Sequence, residues 1–249
     1  MKLDCSKDQH FLVDEEIIEC MILEANINFK DVVLDIGAGT GHIARRMVGL
    51  AKKVIAIEKD DHFEKELCHI KGLVVEIKDV FYFFHKKITF NKIVSNIPFQ
   101  LCEPLMRVLC EECFEVSVLI VPLSFSVTLL KHPLFSAFFT IEKIGEVPKT
   151  AFFPIPRVKS VMIRLRKKEG LEGYFVRQLY LQRDKKLKNA LREMVIKYYG
   201  MSERKVSKKE AATLLLKLKI PALWWERKVE SMPVRNYGVL GGEMEKVFS

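Results

Sequence analysis

The sequence predicts an α/β fold: a doubly wound, mostly parallel sheet followed by a small C-terminal helical domain. Short apolar stretches typical of strands alternate with amphipathic helical stretches through the first half of the chain, and helical periodicity dominates the last third. Strands joined through helices pair in parallel by right-handed crossovers, so helices cover both faces of the sheet. The strand-like stretches are residues 32–36, 53–57, 73–77, 92–95 and 116–121.

Two further stretches, residues 139–147 and 160–166, alternate in the manner of strands with no helical pattern between them. We expect them to form a hairpin that closes one edge of the sheet. Lysines and glycines cluster directly after the second stretch, so we place a domain boundary there. The predicted domains are an α/β domain at residues 1–168 and a small basic helical domain at residues 169–249.

Three helices are predicted in the second domain from the spacing of apolar residues, at residues 174–182, 185–199 and 208–218. Gly200 is expected to end the second of these helices. Ser207 is expected to cap the start of the third, because a serine side chain can accept hydrogen bonds from the first backbone N–H groups of a helix.

Composition excludes several functional classes. The 249 residues are 49% hydrophobic and 29% charged, as in a globular protein, and no apolar run approaches the roughly 20 residues of a membrane span. The N-terminus lacks a secretory pattern and the six cysteines are scattered, so we expect a cytoplasmic protein without disulfides. The Cys110-Glu111-Glu112-Cys113 motif has no second cysteine pair, and we therefore predict helix packing and no metal site.

Charge is distributed unevenly along the chain. Residues 1–156 carry 18 Lys and Arg against 22 Asp and Glu, whereas residues 157–249 carry 23 against 10. The basic excess of the second region suits a phosphate-rich partner, because neutralised phosphates release condensed counterions. A solvated helical face explains the same charges equally well.

The segment Asp35-Ile36-Gly37-Ala38-Gly39-Thr40-Gly41 follows the first strand and leads into a helix. Glycines at this edge of a doubly wound sheet let the backbone turn sharply and approach a nucleotide, so we expect a ligand that contains adenosine. The dinucleotide pattern has Gly or Ala where this chain has His42, which favours a methyl donor. Asp35 is expected to orient the loop and face the amino acid that carries the sulfonium.

Two further carboxylates follow the next strands. Glu58 stands about twenty residues beyond the loop, where a carboxylate accepts hydrogen bonds from both ribose hydroxyls. Asp79 follows the third strand and is expected to accept a hydrogen bond from an adenine amino group, beside the backbone N–H of Val80. Each carboxylate alone is more typical of a strand end or a helix cap than of a ligand site. Three acidic residues at successive strand ends favour a ligand site.

The segment Asn96-Ile97-Pro98-Phe99 follows the fourth strand and indicates the chemistry. An exocyclic adenine amine is a poor nucleophile because its lone pair is delocalised, so methylation needs acceptors for the amine hydrogens. The Asn96 side-chain oxygen and the carbonyl of Ile97 or Pro98 are candidate acceptors. Pro98 would also rigidify the loop, and Phe99 would stack on an extruded base.

Five segments together resemble the ribosomal RNA adenine N6-dimethyltransferase family, which comprises KsgA-type small-subunit enzymes and erythromycin-resistance methylases. The resemblance runs from about residue 8 to residue 195. The segments are Asp8-Gln9-His10-Phe11-Leu12-Val13, the glycine loop from Asp35 to Gly41, Asn96-Ile97-Pro98-Phe99, Phe152-Phe153-Pro154-Ile155-Pro156-Arg157-Val158, and the basic stretch from Arg183 to Leu191.

The resemblance implies S-adenosylmethionine as cofactor and a class I methyltransferase domain. It also implies N6 methylation of adenine, with two methyl groups added, in ribosomal RNA of the small subunit. A monomer that binds neither DNA nor membrane is expected. The cofactor residues implied are His10, Leu12, Asp35, Gly37, Gly39, Glu58, Asp79, Val80 and Asn96. The catalytic residues implied are Asn96, Pro98, Phe99 and Phe152, with Phe99 and either Phe152 or Phe153 enclosing the target adenine.

Three residues depart from the family pattern: Asp35 replaces a common Glu, His10 a frequent Asn, and Phe99 a frequent Tyr. Each change keeps charge or general character, so the predicted chemistry stands. Two alternatives share some of the same features. A ribosome-assembly factor would use the same basic surface, and a nicotinamide-dependent oxidoreductase would use the glycine loop and Glu58. The Trp224-Trp225 pair could stack on RNA bases, but burial or helix docking is the commoner outcome for such aromatic residues.

Overall fold

The computed structural model describes residues 10–86, 88–201 and 204–248. Cys5, and Asp8 and Gln9 of the N-terminal motif, lie outside these residues. The chain forms two compact units, one of Met1–Leu130 with Thr140–Lys167, the other of Lys131–Phe139 with Lys168–Ser249. Unlike a single boundary after residue 168, this division assigns Lys131–Phe139 to the helical unit.

The first unit is built on a seven-stranded sheet. Its strands are β2 (Val32–Ile36), β3 (Lys53–Glu58), β4 (Leu73–Ile77), β5 (Lys92–Asn96), β6 (Val116–Pro122), β7 (Phe139–Val147) and β9 (Ser160–Lys167). They lie in the order β4-β3-β2-β5-β6-β9-β7. The strands from β4 to β6 are parallel, and β9 is antiparallel to β6. The predicted mostly parallel sheet is therefore confirmed, and the two predicted edge strands are neighbours at one edge.

A separate ribbon joins the N-terminal segment to the loop before β9. In it, β1 (Phe11–Leu12) pairs antiparallel with β8 (Phe152–Phe153). Helices connect the strands of the sheet. They are α1 (Glu15–Ala25), α2 (His42–Met47), α3 (Glu64–Cys68), α4 (Val80–Phe84), α5 (Cys102–Glu111), α6 (Leu123–Lys131) and α7 (Pro133–Phe138). On α5, Cys110 is buried, while Cys113 beyond the helix is exposed.

The first helix shows how local sequence sets its limits. The Asp14 side chain accepts hydrogen bonds from the backbone N–H groups of Glu16 and Ile17 and caps the start of α1, while Asn26 ends it in a left-handed conformation. Ile18, Met21, Ile22 and Ala25 form its buried face and belong to the core cluster of this unit.

A buried polar cluster lies where β2 and β5 begin. Lys92 Nζ lies 2.8 Å from Asp31 Oδ2, and both side chains are almost completely buried. Asn91 Nδ2 donates to Asp31 Oδ1 at 2.6 Å, and Asn91 Oδ1 accepts from the Val32 N–H at 2.8 Å. Every charged group in the cluster therefore has a partner, as buried charges require.

The helical unit contains α8 (Leu171–Leu181), α9 (Leu187–Met201), α10 (Lys208–Leu215) and α11 (Arg235–Phe248). Ser207 caps α10 as predicted, and Glu210 completes a capping box with it. Gly200 lies inside α9 and does not end it, so that prediction was wrong. Across the described residues, no helix combines the length and the apolar character needed to span a bilayer.

Candidate active site

A pocket with about 730 Å³ of empty space, partly open to solvent, lies beside the carboxyl ends of β2, β3 and β5. Most of the predicted site residues line it: His10, Leu12, Asp35, Gly37, Gly39, Glu58, Asn96, Pro98 and Phe99. Asp79, Val80 and Phe152 are not among the lining residues. The order of the strands reverses on either side of β2, which is where open α/β sheets bind ligands.

The glycine loop is held against the end of β3 and against the loop after β5. The backbone N–H groups of Gly37 and Ala38 donate to the Ile57 carbonyl at 2.8 and 3.2 Å. Gly37 has a φ of +70°, and a Cβ there would lie 2.8 Å from Pro98 Cδ. Only glycine fits both the backbone conformation and this close approach.

Glu58 holds the same loop through its carboxylate. Oε2 accepts from the Gly39 N–H at 2.8 Å, and Oε1 accepts from the N–H groups of Lys59 and Asp60 at 2.8 and 2.9 Å. An ionised carboxylate offers about four acceptor positions, so three protein hydrogen bonds leave room for one more donor. Glu58 is thus both a support for the loop and a candidate ligand group.

Asp35 is 1% exposed, and its Oδ2 atom has no hydrogen-bond partner among the described residues. Burial raises the pKa of Asp35 to about 8; the Glu58 carboxylate adds to this, while hydrogen bonds with the Ala44 backbone and Ser95 oppose it. A buried polar atom without a partner is destabilising. A donor, and above all a cationic one, would satisfy Oδ2 from the pocket and favour the ionised carboxylate.

The loop after β5 orients Asn96. Asn96 Nδ2 donates to the His10 carbonyl at 2.8 Å, which fixes the amide plane and leaves Oδ1 outside this bond. The Pro98 carbonyl accepts from the Leu101 N–H at 2.8 Å and starts a short 3-10 helix. The half-buried Phe99 ring lies 6.3 Å from the His10 ring, measured between centroids.

The β1–β8 ribbon corrects the prediction for Phe152. Phe152 pairs with Leu12, and its side chain is 3% exposed and belongs to the core cluster. Phe153 pairs with Phe11 and is 58% exposed. Successive strand residues point to opposite faces, so only one of the two rings can face solvent, and it is Phe153. His10 Nδ1 donates to the Pro154 carbonyl at 2.8 Å and ties this segment to the pocket lining.

Asp79 and Val80 stand apart from the pocket lining. Asp79 Oδ1 accepts from the Phe81 N–H at 2.9 Å and caps α4, while Oδ2 accepts from Lys59 Nζ at 3.1 Å. The hydrogen bond from the Phe81 N–H, with help from Lys59, holds the pKa of Asp79 below its ordinary value. The helix-cap interpretation therefore describes Asp79 in this structure.

Five lining residues received no role in the sequence analysis, namely Phe11, Ala38, Thr40, His42 and Ile43. Phe11 lies against the glycine loop, because a Cβ on Gly39 would meet its ring at 2.7 Å. Thr40 Oγ1 and His42 Nδ1 lie 2.8 Å apart, and burial with the nearby Arg45 lowers the pKa of His42. The only signal for Phe11 was its place between two predicted cofactor residues. The signal for His42 was its departure from the dinucleotide pattern.

The fold and the pocket define an α/β enzyme of the methyltransferase class. The family model described as ribosomal RNA adenine dimethylase matches residues 2–220. This chain belongs to the ribosomal RNA adenine dimethylase family, which confirms the predicted resemblance and enzyme class. Membership implies a methyl donor, and it excludes the nicotinamide-dependent oxidoreductase.

Curated relatives agree with this assignment, and two solved structures share the fold. Proteins named "Probable ribosomal RNA small subunit methyltransferase A" from Methanosarcina barkeri and Methanosphaera stadtmanae are each 32% identical to this chain. The matches cover 74% and 77% of this chain, and 71% and 78% of those proteins. A crystal structure of a dimethyladenosine transferase from Plasmodium falciparum has a TM-score of 0.60 at 23% identity, covering 95% of this chain and 98% of that chain. The 23S rRNA methyltransferase ErmE has a TM-score of 0.58 at 17% identity, covering 94% and 99%. These two likenesses concern the fold alone.

Proposed function

We propose that this enzyme transfers methyl groups from S-adenosylmethionine to the N6 amino group of adenine in small-subunit ribosomal RNA. The names of the curated relatives support the small subunit as the source of the substrate. The addition of two methyl groups follows from the family description, a dimethylase. The proposal rests on one observation above all, the fixed orientation of the Asn96 side chain at the pocket.

The residues of the pocket fit S-adenosylmethionine. The unpartnered, buried Asp35 Oδ2 offers an acceptor to a cationic group, and Glu58 has one acceptor position left for a ribose hydroxyl. His10, Leu12, Gly37 and Gly39 would line the remaining surface of the ligand. When bound, the cofactor supplies an electrophilic methyl carbon on a sulfonium.

Asn96 would act on the target amine. Its Nδ2 is engaged by the His10 carbonyl, so its Oδ1 is the end of the amide that can accept a hydrogen from the adenine nitrogen. The Pro98 carbonyl already accepts a bond from Leu101, which favours the Ile97 carbonyl as the second acceptor. Two acceptors favour a pyramidal nitrogen whose lone pair is available for attack. Placement of that nitrogen in line with the methyl carbon supplies much of the rate enhancement.

Aromatic rings would hold the target base outside its helix. Phe99 lies at the pocket, and the exposed Phe153 is the second ring that we assign, in place of Phe152. The path of contacts from Phe99 to His10 and from His10 to Pro154 supports this choice, because it brings the segment of Phe153 close to the pocket lining. Extruded bases are commonly held by stacking between such side chains.

The basic second region would bind the phosphates of the substrate. The enzyme would act as a monomer in the cytoplasm, where ribosomes are found. Residues 157–249 carry a large excess of Lys and Arg, whereas residues 1–156 carry a slight excess of acidic residues. Neutralising phosphates makes RNA affinity fall steeply as the salt concentration rises. A steep salt dependence of RNA binding is therefore expected.

The test is transfer of labelled methyl groups from S-adenosylmethionine to small-subunit RNA taken from cells that lack this enzyme. Mass spectrometry of the product should find dimethylated adenine, and S-adenosylhomocysteine but not NAD should raise the melting temperature of the protein. RNA binding without any methyl incorporation would instead support the ribosome-assembly factor.

A further inference from the structure

A cleft in the helical unit shares no lining residue with the catalytic pocket. It is lined by Lys188 and Arg192 of α9, by Ala212 and Leu215 of α10, by Leu216 directly after that helix, and by Trp225. We call it the Trp225 cleft. The chain segment after residue 220 closes it, and this segment lies beyond the part of the chain that the family model matches.

The position of Trp225 is fixed by the backbone. The Lys188 N–H donates to the Trp225 carbonyl at 3.1 Å, and the Leu187 N–H donates to the Arg227 carbonyl at 2.8 Å. These bonds hold the tryptophan segment to the start of α9. The Trp225 ring is half-buried, and neighbouring Leu216 is 81% exposed, so the wall of the cleft presents apolar surface to solvent.

Cations border this apolar surface. Lys188 Nζ lies 2.5 Å from Glu226 Oε1. Both side chains are exposed, so a phosphate could take the place of the Glu226 carboxylate at little cost in free energy. Arg192 Nη2 donates to Asn189 Oδ1 at 3.1 Å, while the buried Arg192 Nε has no hydrogen-bond partner among the described residues. A guanidinium carries five N–H donors, and the described residues engage only one of them, through Nη2, so donors remain for a ligand.

This combination selects one kind of ligand. An aromatic ring and an apolar floor suit the face of a planar base, and the neighbouring ammonium and guanidinium groups suit the phosphate attached to it. An unpaired nucleotide has both features, whereas bases in an RNA helix are stacked on each other and hidden from such a cleft. Residues 157–249 carry a strong positive charge, which favours the polyanion RNA over a peptide with few acidic residues.

We propose that the Trp225 cleft captures one unpaired base of the ribosomal RNA substrate, with its phosphate held by Lys188 and Arg192. The site would grip the RNA at a second point, separate from the target adenine. This inference rests on the proposed function only because it takes RNA as the substrate. It predicts that single-stranded RNA binds the protein without entering the catalytic pocket.

The chain contains only two tryptophans, adjacent in sequence, and this gives a direct test. Trp224→Phe leaves Trp225 as the sole tryptophan and leaves the residues of the cleft unchanged, whereas Trp225→Phe leaves Trp224. An oligoadenylate of about six nucleotides is within the usual site size for single strands. It should quench the fluorescence of the full-length Trp224→Phe protein, and at the same concentrations it should leave that of Trp225→Phe nearly unchanged.

Affinity gives a second readout. Trp225→Ala should weaken binding of the same oligonucleotide by about 5- to 150-fold, the range expected for loss of one stacked base, while Trp224→Ala should change it less than twofold. Heparin serves as a polyanion without bases. Equal quenching by heparin and RNA would show that the cleft binds anions only and would overturn the proposal.

Methyl transfer to small-subunit RNA separates this proposal from the proposed function. If the Trp224→Phe protein transfers methyl groups but its fluorescence does not respond to RNA, the cleft does not hold a base and the proposed function is unaffected. If the oligonucleotide quenches Trp225 in a protein that transfers no methyl groups, the cleft stands and the proposed catalytic function fails.

Discussion

Asn96 Nδ2 donates a hydrogen bond to the His10 carbonyl across 2.8 Å, so the loop after β5 and the N-terminal segment hold each other in place. The bond sets which end of the Asn96 amide is presented to the pocket. The N-terminal segment is itself anchored by the bond from His10 to the Pro154 carbonyl. The orientation of the proposed catalytic amide therefore depends on three separate parts of the chain.

Asn96→Ala should lower kcat for methyl transfer by at least about 100-fold, the usual loss when one preorganised polar contact to the reacting centre is removed. Cofactor binding should be partly retained, because most of the lining residues are unaffected. Single-turnover methyl transfer and calorimetry with S-adenosylhomocysteine would measure the two effects. Full activity in this variant would refute the role assigned to Asn96.

The two adjacent phenylalanines should respond in opposite ways. Phe152→Ala opens a cavity in the core and should cost about 3 to 5 kcal/mol of unfolding free energy. Phe153→Ala should change stability by less than about 0.5 kcal/mol, but should lower kcat/KM for RNA by about 5- to 150-fold if its ring stacks on the base. Denaturant unfolding and methyl-transfer assays of the pair would decide, and equal destabilisation by both changes would contradict the assignment.

Asp35 should make both stability and cofactor affinity depend on pH. Its pKa is raised from 3.8 to about 8, so between these values the native state holds a proton that the unfolded state has released, and stability falls as pH rises. A cationic ligand favours the ionised carboxylate, so cofactor affinity should rise with pH toward about 8. Asp35→Asn should weaken both dependences, which unfolding and calorimetry at pH 5 to 9 would show. An unchanged pH profile in the variant would assign the effect to another group.

The two roles of Asp79 can be separated by substitution. Asp79→Ala removes the α4 cap and should cost about 1 kcal/mol, whereas Asp79→Ser keeps a capping side chain and should be nearly neutral for stability. If the Asp79 carboxylate also holds the adenine of the cofactor, Asp79→Ser should still weaken cofactor binding roughly tenfold or more. Wild-type affinity in the serine variant would leave Asp79 as a structural cap alone.

Much of the fold could be predicted because the central strands are buried on both faces. They appear in the sequence as continuous apolar runs, and their observed ends lie within one residue of the predicted ones. Helix α11 was missed because three glycines interrupt its pattern and lower its helix propensity. One of them, Gly241, lets α11 approach α8, since a Cβ there would lie 2.6 Å from Val176 Cγ2. Such a contact cannot be read from local sequence.

The pocket could be predicted more fully on the side of the glycine loop than on the side of the target base. Strand ends place Asp35, Glu58 and Asn96 at one edge of the sheet, so the sequence motifs were sufficient to predict that all three line the pocket. The choice between Phe152 and Phe153 depends on which one faces the core once β8 pairs with β1. The sequence showed two aromatic residues but not the pairing partner. Asp79 is the opposite case, because a side chain that the sequence assigned to a ligand caps α4 and pairs with Lys59 in this structure.

The buried cluster of Asp31, Asn91 and Lys92 has a consequence at the opposite end of the strands. It fixes the register of β5 against β2, in which Val33 lies beside Lys92. A slip of one residue would turn Asn96 to the other face of the sheet. A substitution that weakens this buried cluster can therefore reduce catalysis although every residue of the pocket is unchanged. The loss should appear first as a lower kcat for methyl transfer.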